Sequence, residues 1–354
     1  MRAMRSDRKL WGSDRRLRVL AGAGGLVALV AAGASVQRRH MQRIASDPEQ
    51  AVLHESPSGQ PLEIVSADGT ILHAEAFGPQ DGPTIVLAHG WTEGLTFWTY
   101  VIRELAPQGF RLVAYDLRGH GLSGRAAGGD YGMDRFGEDL EAVLRACLSG
   151  GERAVVAGHS LGAMSIVAWT ESHEVTARVS AAALLNTGVG DLIAEQLIVP
   201  VPAIASAIGN TIAVHAFLGA RAPVPRFSTP LSHYLIRYVA FGPAATPAQV
   251  AFYEQMLIAC PPAARASVGI AMSELALDHA LPRLTVPTLV MAGAKDRLTP
   301  PSHARRIAEQ LPDLVDLIEL PDTGHMGPLE RPKEISEALV RLAADVAGGI
   351  SVAV

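Results

Sequence analysis

The residues best able to do covalent chemistry form a short motif around Ser160. The letters G-H-S-L-G at 158–162 follow an apolar run, 154–157, and precede a helix-compatible run, 163–170. G-x-S-x-G between a strand and a helix is the pattern of a nucleophile elbow, a sharp turn that exposes a reactive serine hydroxyl. The two glycines remove side chains that would collide in so tight a turn. We therefore predict that Ser160 is a nucleophile.

A serine hydroxyl needs a base, and the base needs an acid that holds it in one tautomer. His325 lies in a loop after the last predicted strand, and Asp296 directly follows the strand predicted over 288–291. The order Ser, Asp, His along the chain is the order expected for this kind of elbow. We predict Ser160, Asp296 and His325 as a catalytic triad, with Asp191 as the alternative acid.

The oxyanion formed during acyl transfer needs two backbone N–H donors. One is predicted at Leu161, where a helix N-terminus also favours negative charge. The second is predicted at Trp91, in the loop after the strand predicted over 84–88. Four residues near these donors are candidates for the substrate pocket: His89, Gly90, Trp91 and His159.

The elements that must position these residues alternate along the chain. Short apolar runs predict strands at 62–66, 71–77, 84–88, 111–115, 154–157, 181–185, 288–291 and 315–320. Amphipathic stretches predict helices at 97–106, 134–148 and 333–347. Asp68-Gly69 predicts a hairpin between the first two strands. Strands alternating with helices predict an α/β fold with a mostly parallel sheet covered on both faces.

The segment 189–283 interrupts this alternation, because it is helical in pattern, apolar, and rich in proline and alanine. We interpret it as a helical cap inserted between two core segments, 61–188 and 284–347. A cap there would cover the carboxyl edge of the sheet, where α/β proteins bind ligands. Its apolar part, 191–219, favours apolar or lipid-like substrates. Ordinary packing of the cap on the core is the alternative explanation of the same apolar pattern.

The N-terminal segment, 1–43, is expected to be separate from the folded domain. Residues 19–36 carry no charge, and 18 helical residues span about the 30 Å of a bilayer's hydrocarbon layer. Basic residues flank them on both sides, and more precede them than follow. We predict one membrane-anchoring helix with the catalytic domain outside the cytoplasm. A cleaved signal peptide, which would give a secreted protein, and a soluble packed helix are the alternatives. The polar residues 44–60 are predicted to be a linker.

Composition narrows the classes of function. The 354 residues are 49% hydrophobic and 18% charged, with a formal net charge of −5, so we expect a large buried core and no nucleic-acid partner. No cluster has zinc-ligand spacing and no phosphate-binding loop is present, so we expect neither a metal nor an organic cofactor. Cys147 and Cys260 are predicted to be buried thiols, with a disulfide as the alternative.

Taken together, the motifs resemble the α/β-hydrolase superfamily over about residues 61–347. The matching segments are 89–91, 115–123, 158–162, 293–296 and 324–325. They are similar to the branch that includes epoxide hydrolases, haloalkane dehalogenases, esterases and cofactor-free haloperoxidases. Epoxide hydrolases and dehalogenases use an aspartate nucleophile where this chain has Ser160. The resemblance therefore implies cleavage of carboxylic esters through an acyl-enzyme, as in a carboxylesterase or lipase.

Three alternatives to an esterase stay open at this point. A perhydrolase or a carbon–carbon bond hydrolase could use the same triad. A membrane-tethered binding protein could use the pocket without turnover, since one fold hosts many functions.

Overall fold

A computed structural model of the protein describes residues 31–192 and 226–346. Within them, eight strands form one sheet in the order β1-β2-β4-β3-β5-β6-β7-β8. The strands are β1 (Gln60–Val65), β2 (Ile71–Phe77), β3 (Thr84–Ala88), β4 (Arg111–Tyr115), β5 (Ala154–His159), β6 (Val179–Leu185), β7 (Thr288–Gly293) and β8 (Leu314–Leu320). β2 pairs antiparallel with β1 and β4, and the remaining neighbours are parallel. The predicted α/β class with a mostly parallel sheet is confirmed.

Helices connect the strands and cover the sheet. The α-helices are α1 (31–45), α2 (Glu49–His54), α3 (Thr99–Leu105), α4 (Met133–Cys147), α5 (Leu161–Trp169), α6 (Pro230–Ala240), α7 (Pro247–Ala259), α8 (Pro262–Ser273), α9 (Pro301–Gln310), α10 (Gly327–Glu330) and α11 (Pro332–Val346). Short 3-10 helices lie at Leu95–Trp98, Ala106–Gln108, Ala127–Gly129, Val175–Ala177 and Asp278–Arg283.

Alternation of side chains along each strand explains why both faces of the sheet are covered. In β3, Ile85 and Leu87 face one side while Val86 and Ala88 face the other, and all four are buried. α4 and α5 pack on the face of Val86, whereas α3 and α11 pack on the face of Ile85. A strand buried on both faces must be apolar throughout, which is why the sequence predicts β3 with its observed bounds.

The region predicted to be a cap contributes α6, α7 and α8 to the described part of the protein, and 193–225 lie outside it. α6 and α7 each begin with a capping box, at Thr229 and Thr246, followed by a proline in the first turn. A proline there has no N–H to leave unpaired, so a proline-rich segment can still be helical. Among the described residues no single helix is long and apolar enough to cross a membrane; only α7 and α8 pass that test together, bent by 102°.

The N-terminal predictions have mixed outcomes. Most of the predicted anchor, 19–36, lies outside the described residues, and its last six residues belong to α1. The linker prediction for 44–60 is wrong, because α2 occupies that segment and both Ile44 and Leu53 are buried. Those two apolar side chains pack on the domain, although the segment is mostly polar, and a polar composition by itself predicts a linker.

The two cysteines are both buried free thiols, as predicted. Burial raises the pKa of Cys147 to about 11 and that of Cys260 to about 12, so both thiols stay protonated near neutral pH. They are therefore expected to react slowly with thiol reagents in the folded protein.

An ion pair buried beside β4 links three segments of the chain, and its contribution to stability can be measured. Arg118 is fully buried, and its guanidinium donates to both carboxylate oxygens of Asp139 at 2.6 and 2.7 Å and to Asp68 at 2.8 Å. Arg118→Met removes the positive charge and leaves a buried carboxylate without its partner. We expect a loss of about 3–5 kcal/mol in the free energy of unfolding, measured by urea denaturation.

The matched control is Arg135→Met, since Arg135 makes an exposed pair with Asp130 and should contribute little to stability. Equal denaturation midpoints for the two variants would show that the buried pair adds no net stability.

Candidate active site

Ser160 stands at the turn between β5 and α5 in a strained backbone conformation, with φ 51° and ψ −114°. Such a conformation costs on the order of 1–3 kcal/mol for a residue other than glycine. Its neighbours hold the turn: the Ser160 N–H donates to Leu185 O at 2.9 Å, and its carbonyl accepts from Thr187 Oγ1 at 2.9 Å. The structure therefore has the sharp strand-to-helix turn that the G-x-S-x-G motif predicts.

The motif glycines are required because backbone atoms pass very close to them. A Cβ on Gly158 would collide with the backbone of Gly162 and Ala163. A Cβ on Gly162 would collide with the backbone of Ala88 and His89, at the end of β3. Glycine at both positions lets the elbow and the loop after β3 approach each other.

Asp296 and His325 meet at the same edge of the sheet, although 29 residues separate them along the chain. Asp296 follows β7 and His325 follows β8, and these strands are parallel neighbours. His325 Nδ1 lies 2.8 Å from Asp296 Oδ2, and both side chains are buried. A carboxylate can only accept, so this contact places the imidazole proton on Nδ1.

Further donors keep the Asp296 carboxylate ionised. The N–H groups of Leu298 and Thr299 donate to Oδ1 at 2.9 Å each, while Thr299 Oγ1 and Asn186 Nδ2 donate to Oδ2 at 2.9 and 3.2 Å. Burial alone would raise the pKa of Asp296, but His325 and these hydrogen bonds lower it overall. An ionised acid with its oxygens engaged can orient the imidazole and stabilise its protonated form.

The backbone of His325 is fixed on both sides. Its N–H donates to Ala240 O at 2.7 Å, at the end of α6, and its carbonyl lies 2.8 Å from His159 Nε2. The rings of His159 and His325 have centroids 5.0 Å apart. Because His159 immediately precedes Ser160, these contacts bring the loop of the proposed base to the nucleophile elbow.

The two predicted oxyanion donors follow the C-terminal ends of two neighbouring strands, β3 and β5. Leu161 is the first residue of α5, and the first N–H groups of a helix have no acceptor within it. Trp91 is on the loop after β3, which pairs directly with β5. Thr92, at φ 64°, donates through Oγ1 to the Trp91 carbonyl at 2.6 Å, and the Gly90 N–H donates to Glu93 Oε2 at 2.5 Å. Those contacts fix the conformation of the loop.

This combination of sheet order, elbow and polar groups at the carboxyl edge agrees with comparisons to known proteins. A profile of the alpha/beta hydrolase fold family matches residues 83–332. The chain belongs to the α/β-hydrolase family.

Individual relatives match over different lengths. The chain is 37% identical to the AB hydrolase superfamily protein YfhM of Bacillus subtilis over 112 residues, which is 31% of this chain but only 38% of YfhM. It is 25% identical to YisY of the same organism over 260 residues, 73% of this chain and 91% of YisY. Among solved structures, an esterase from Thermogutta terrifontis superposes with a TM-score of 0.65 at 24% identity, over 81% of this chain and 99% of that one. The family match and the two relatives support a hydrolase, and the superposed structure shows the same fold.

In this α/β-hydrolase, the structure does not place two of the predicted pocket residues where a substrate could reach their side chains. His89 is fully buried; its Nε2 accepts from the Leu117 N–H at 3.0 Å and its Nδ1 lies 2.8 Å from Gly90 O. His159 is equally buried, between Glu93 and the His325 carbonyl. Both rings hold loops together, because a short strand-end loop leaves many backbone groups to be paired.

The imidazole of His159 is paired with a buried carboxylate that the sequence analysis missed. Its Nδ1 lies 3.1 Å from Glu93, and both of its ring nitrogens face acceptors. Burial alone would lower the pKa of His159, but the Glu93 charge and the His325 carbonyl raise it overall. Glu93 thus accepts the Gly90 N–H within the Trp91 loop, and the His159 ring links Glu93 to the His325 carbonyl. The only sign of Glu93 in the sequence was its position four residues after His89, in the loop that follows a predicted strand.

Asn186, Thr299 and Glu330 are the other polar residues of this α/β-hydrolase site that sequence reasoning missed. Asn186 directly follows β6 at φ 47° and donates to both Asp296 and the Gly324 carbonyl. Glu330 accepts from the N–H of Gly324 at 3.0 Å, and burial raises its pKa to about 7. Asn186 and Thr299 follow the predicted strands β6 and β7. That position could have identified them, because functional residues of α/β proteins gather at the carboxyl ends of the strands.

The structure also shows what the Trp91 side chain contacts. Its indole N–H donates to Arg265 O at 3.0 Å, in α8, and the ring is half-buried against the core. The side chain therefore joins the loop after β3 to α8. Within the described residues, no cluster of three or more His, Cys, Asp or Glu could hold a metal ion.

Proposed function

We propose that this α/β-hydrolase is a serine esterase that cleaves carboxylic esters through an acyl-enzyme. The observation that carries the proposal is the buried His325–Asp296 pair, whose loop is bonded to the residue before Ser160. With Nδ1–H donated to Asp296, the Nε2 lone pair of His325 is free to act as a base. A strained serine at an elbow and a correctly oriented imidazole are what activation of a hydroxyl requires.

The reaction then follows from the proposed roles. Ser160 Oγ attacks the ester carbonyl while His325 takes its proton, and the Trp91 and Leu161 N–H groups stabilise the oxyanion. His325 next protonates the leaving alkoxide, which departs as an alcohol. A water molecule, deprotonated by His325, attacks the acyl-enzyme, and the collapse of the second tetrahedral intermediate releases the acid and restores Ser160.

We further propose apolar, lipid-like esters as substrates and a membrane-anchored enzyme with its catalytic domain outside the cytoplasm. The apolar composition of 191–219 and the uncharged run over 19–36 support this. Hydrolysis rates that rise from acetyl to octanoyl p-nitrophenyl esters would support the substrate class. Rates that stay flat or fall with chain length would remove it.

A fluorophosphonate tests the activated serine directly, because it phosphonylates only a nucleophilic hydroxyl. We expect stoichiometric labelling of the full chain at Ser160, mapped by peptide mass spectrometry, and loss of labelling in His325→Ala. His279→Ala is the control, since His279 is exposed on the surface and pairs with Glu171. Absence of labelling in folded protein would favour the non-catalytic binding protein over the esterase.

A further inference from the structure

One face of α6 exposes a continuous row of large apolar and aromatic side chains. The row, which we term the α6 face, consists of Phe227, Leu231, Tyr234, Leu235 and Tyr238. Leu231 is 68% exposed, Tyr234 64% and Phe227, just before the helix, 63%. Spacing of three and four residues puts the helical members on one side of α6. Contiguous apolar exposure of this kind marks a surface that contacts a partner or a membrane.

The N-terminal end of the α6 face lies beside α1. Gln37 Nε2 donates to Ser228 O at 2.6 Å, and His40 Nε2 lies 2.9 Å from Ser228 Oγ. The rings of His40 and His233 also meet, with centroids 4.9 Å apart. Gln37 is the first polar residue after the uncharged run 19–36, so Phe227 lies level with the point where that run ends.

The exposed charges near this junction are basic, while the carboxylate of Glu254, 4.0 Å from His233 Nδ1, is buried. α1 carries Arg38, Arg39 and Arg43, all exposed, and no acidic residue between 31 and 45. Arg226 is exposed directly before Phe227. Arginines beside tyrosines and an apolar helix face are the composition of a helix that lies in the interface of an anionic bilayer.

The C-terminal end of α6 reaches the proposed active site. Ala240 O accepts the His325 N–H at 2.7 Å. The guanidinium of Arg297, next to Asp296, lies 4.6 Å above the Tyr238 ring and donates to Tyr238 O at 2.6 Å. A single helix therefore connects the segment that follows the uncharged run with the loop that holds the base.

We propose that the α6 face lies on the surface of a bilayer that contains anionic lipids, at the foot of the N-terminal anchor, so that ester substrates reach the site from the lipid. This inference rests on the proposed anchoring and esterase function. The bilayer is the occupant that matches both the basic residues of α1 and the level at which the uncharged run ends.

Fluorescence quenching on the full chain in vesicles can locate the α6 face. Leu231→Cys and Leu235→Cys are labelled with a small fluorophore, while Cys147 and Cys260 are buried and stay unlabelled. Val315→Cys is the matched control, because Val315 is also exposed but lies near the start of β8, at the end of the strand away from the His325 loop that α6 contacts. The vesicles contain phosphatidylglycerol and a nitroxide-labelled lipid, and iodide serves as the aqueous quencher.

We expect the nitroxide lipid to quench the labels at 231 and 235 at least threefold more than the label at 315, and iodide to show the reverse order. Equal quenching at all three positions would overturn the proposal, as would failure of the protein to sediment with vesicles. Labels at 231 and 235 shielded from both quenchers, and exposed on dilution, would assign the face to a second copy and also overturn it.

The readout separates this inference from the esterase proposal, because quenching needs no turnover. The double variant Leu231→Glu/Leu235→Glu adds a functional arm. It should hydrolyse a water-soluble acetyl ester at the parent rate and a vesicle-embedded ester at least tenfold more slowly. Equal loss on both esters, or equal retention on both, would overturn the proposed entry route.

Discussion

Ser160→Ala is expected to lower kcat for ester hydrolysis by about a millionfold, to near the background rate. The hydroxyl is the only group of the proposed site that forms a bond to the acyl carbon, so no neighbour can substitute for it. Alanine keeps the backbone of the elbow, and the hydrogen bonds of Ser160 to Leu185 and Thr187 involve only the backbone N–H and carbonyl of Ser160. The melting temperature should therefore stay within a few degrees of the parent value.

Ser165→Ala is the matched control for this substitution. Ser165 is buried in the same helix, α5, and donates through its hydroxyl to Gly162 O at 2.7 Å. Its loss disturbs the packing near the elbow without removing the proposed nucleophile, so kcat should change by less than about tenfold. If Ser160→Ala retained substantial activity on a purified ester, the acyl-enzyme mechanism would be excluded.

Asp296→Asn is expected to lower kcat by about 10⁴-fold with little change in structure. The asparagine amide is nearly isosteric, and its oxygen can still accept the N–H groups of Leu298 and Thr299. Its NH₂ group would then face His325 Nδ1 as a donor. The imidazole would keep its proton on Nε2, which removes the lone pair that must accept the Ser160 proton.

Asp191→Asn distinguishes the two acids that the sequence left open. Asp191 is exposed, and no ion pair or hydrogen bond of its side chain to the described residues is seen, whereas Asp296 bonds His325 directly. Activity of Asp191→Asn should equal that of the parent enzyme. A loss of activity in Asp191→Asn together with retention in Asp296→Asn would reassign the acid, and the variant that loses the downfield imidazole N–H resonance in proton NMR would identify the carboxylate that accepts it.

The fold could be predicted in some detail because its strands are short apolar runs buried on both faces. β2, β3 and β4 have the bounds that the sequence predicts, and β5, β6 and β7 each extend the predicted run by two residues at one end. The extensions include Gly158 and Gly293, which apolar runs cannot identify as strand. The order of the strands in the sheet could not be predicted from the apolar runs, because strand pairing depends on how the connecting segments cross the two faces of the sheet.

The N-terminal region shows where local composition fails. Polar residues around α2 predict a linker, but Glu49 accepts from Tyr100 Oη at 2.6 Å and from Gln249 Nε2 at 2.8 Å. Asp47 Oδ2 also accepts the Ala248 N–H at 3.1 Å, at the start of α7. These partners are 51 to 201 residues away along the chain, so nothing local distinguishes a docked polar helix from a free linker.

The sequence by itself was enough to propose nucleophilic catalysis by a serine. G-x-S-x-G between an apolar run and a helix, with Asp296 and His325 after later strands, is a local pattern that needs no knowledge of distant contacts. The tertiary structure decided which groups serve that chemistry. It paired Asp296 rather than Asp191 with His325, buried His89 and His159 as supports, and recruited Glu93 and Asn186. Such choices depend on which strand ends become neighbours in the sheet, and that juxtaposition exists only once the chain has folded.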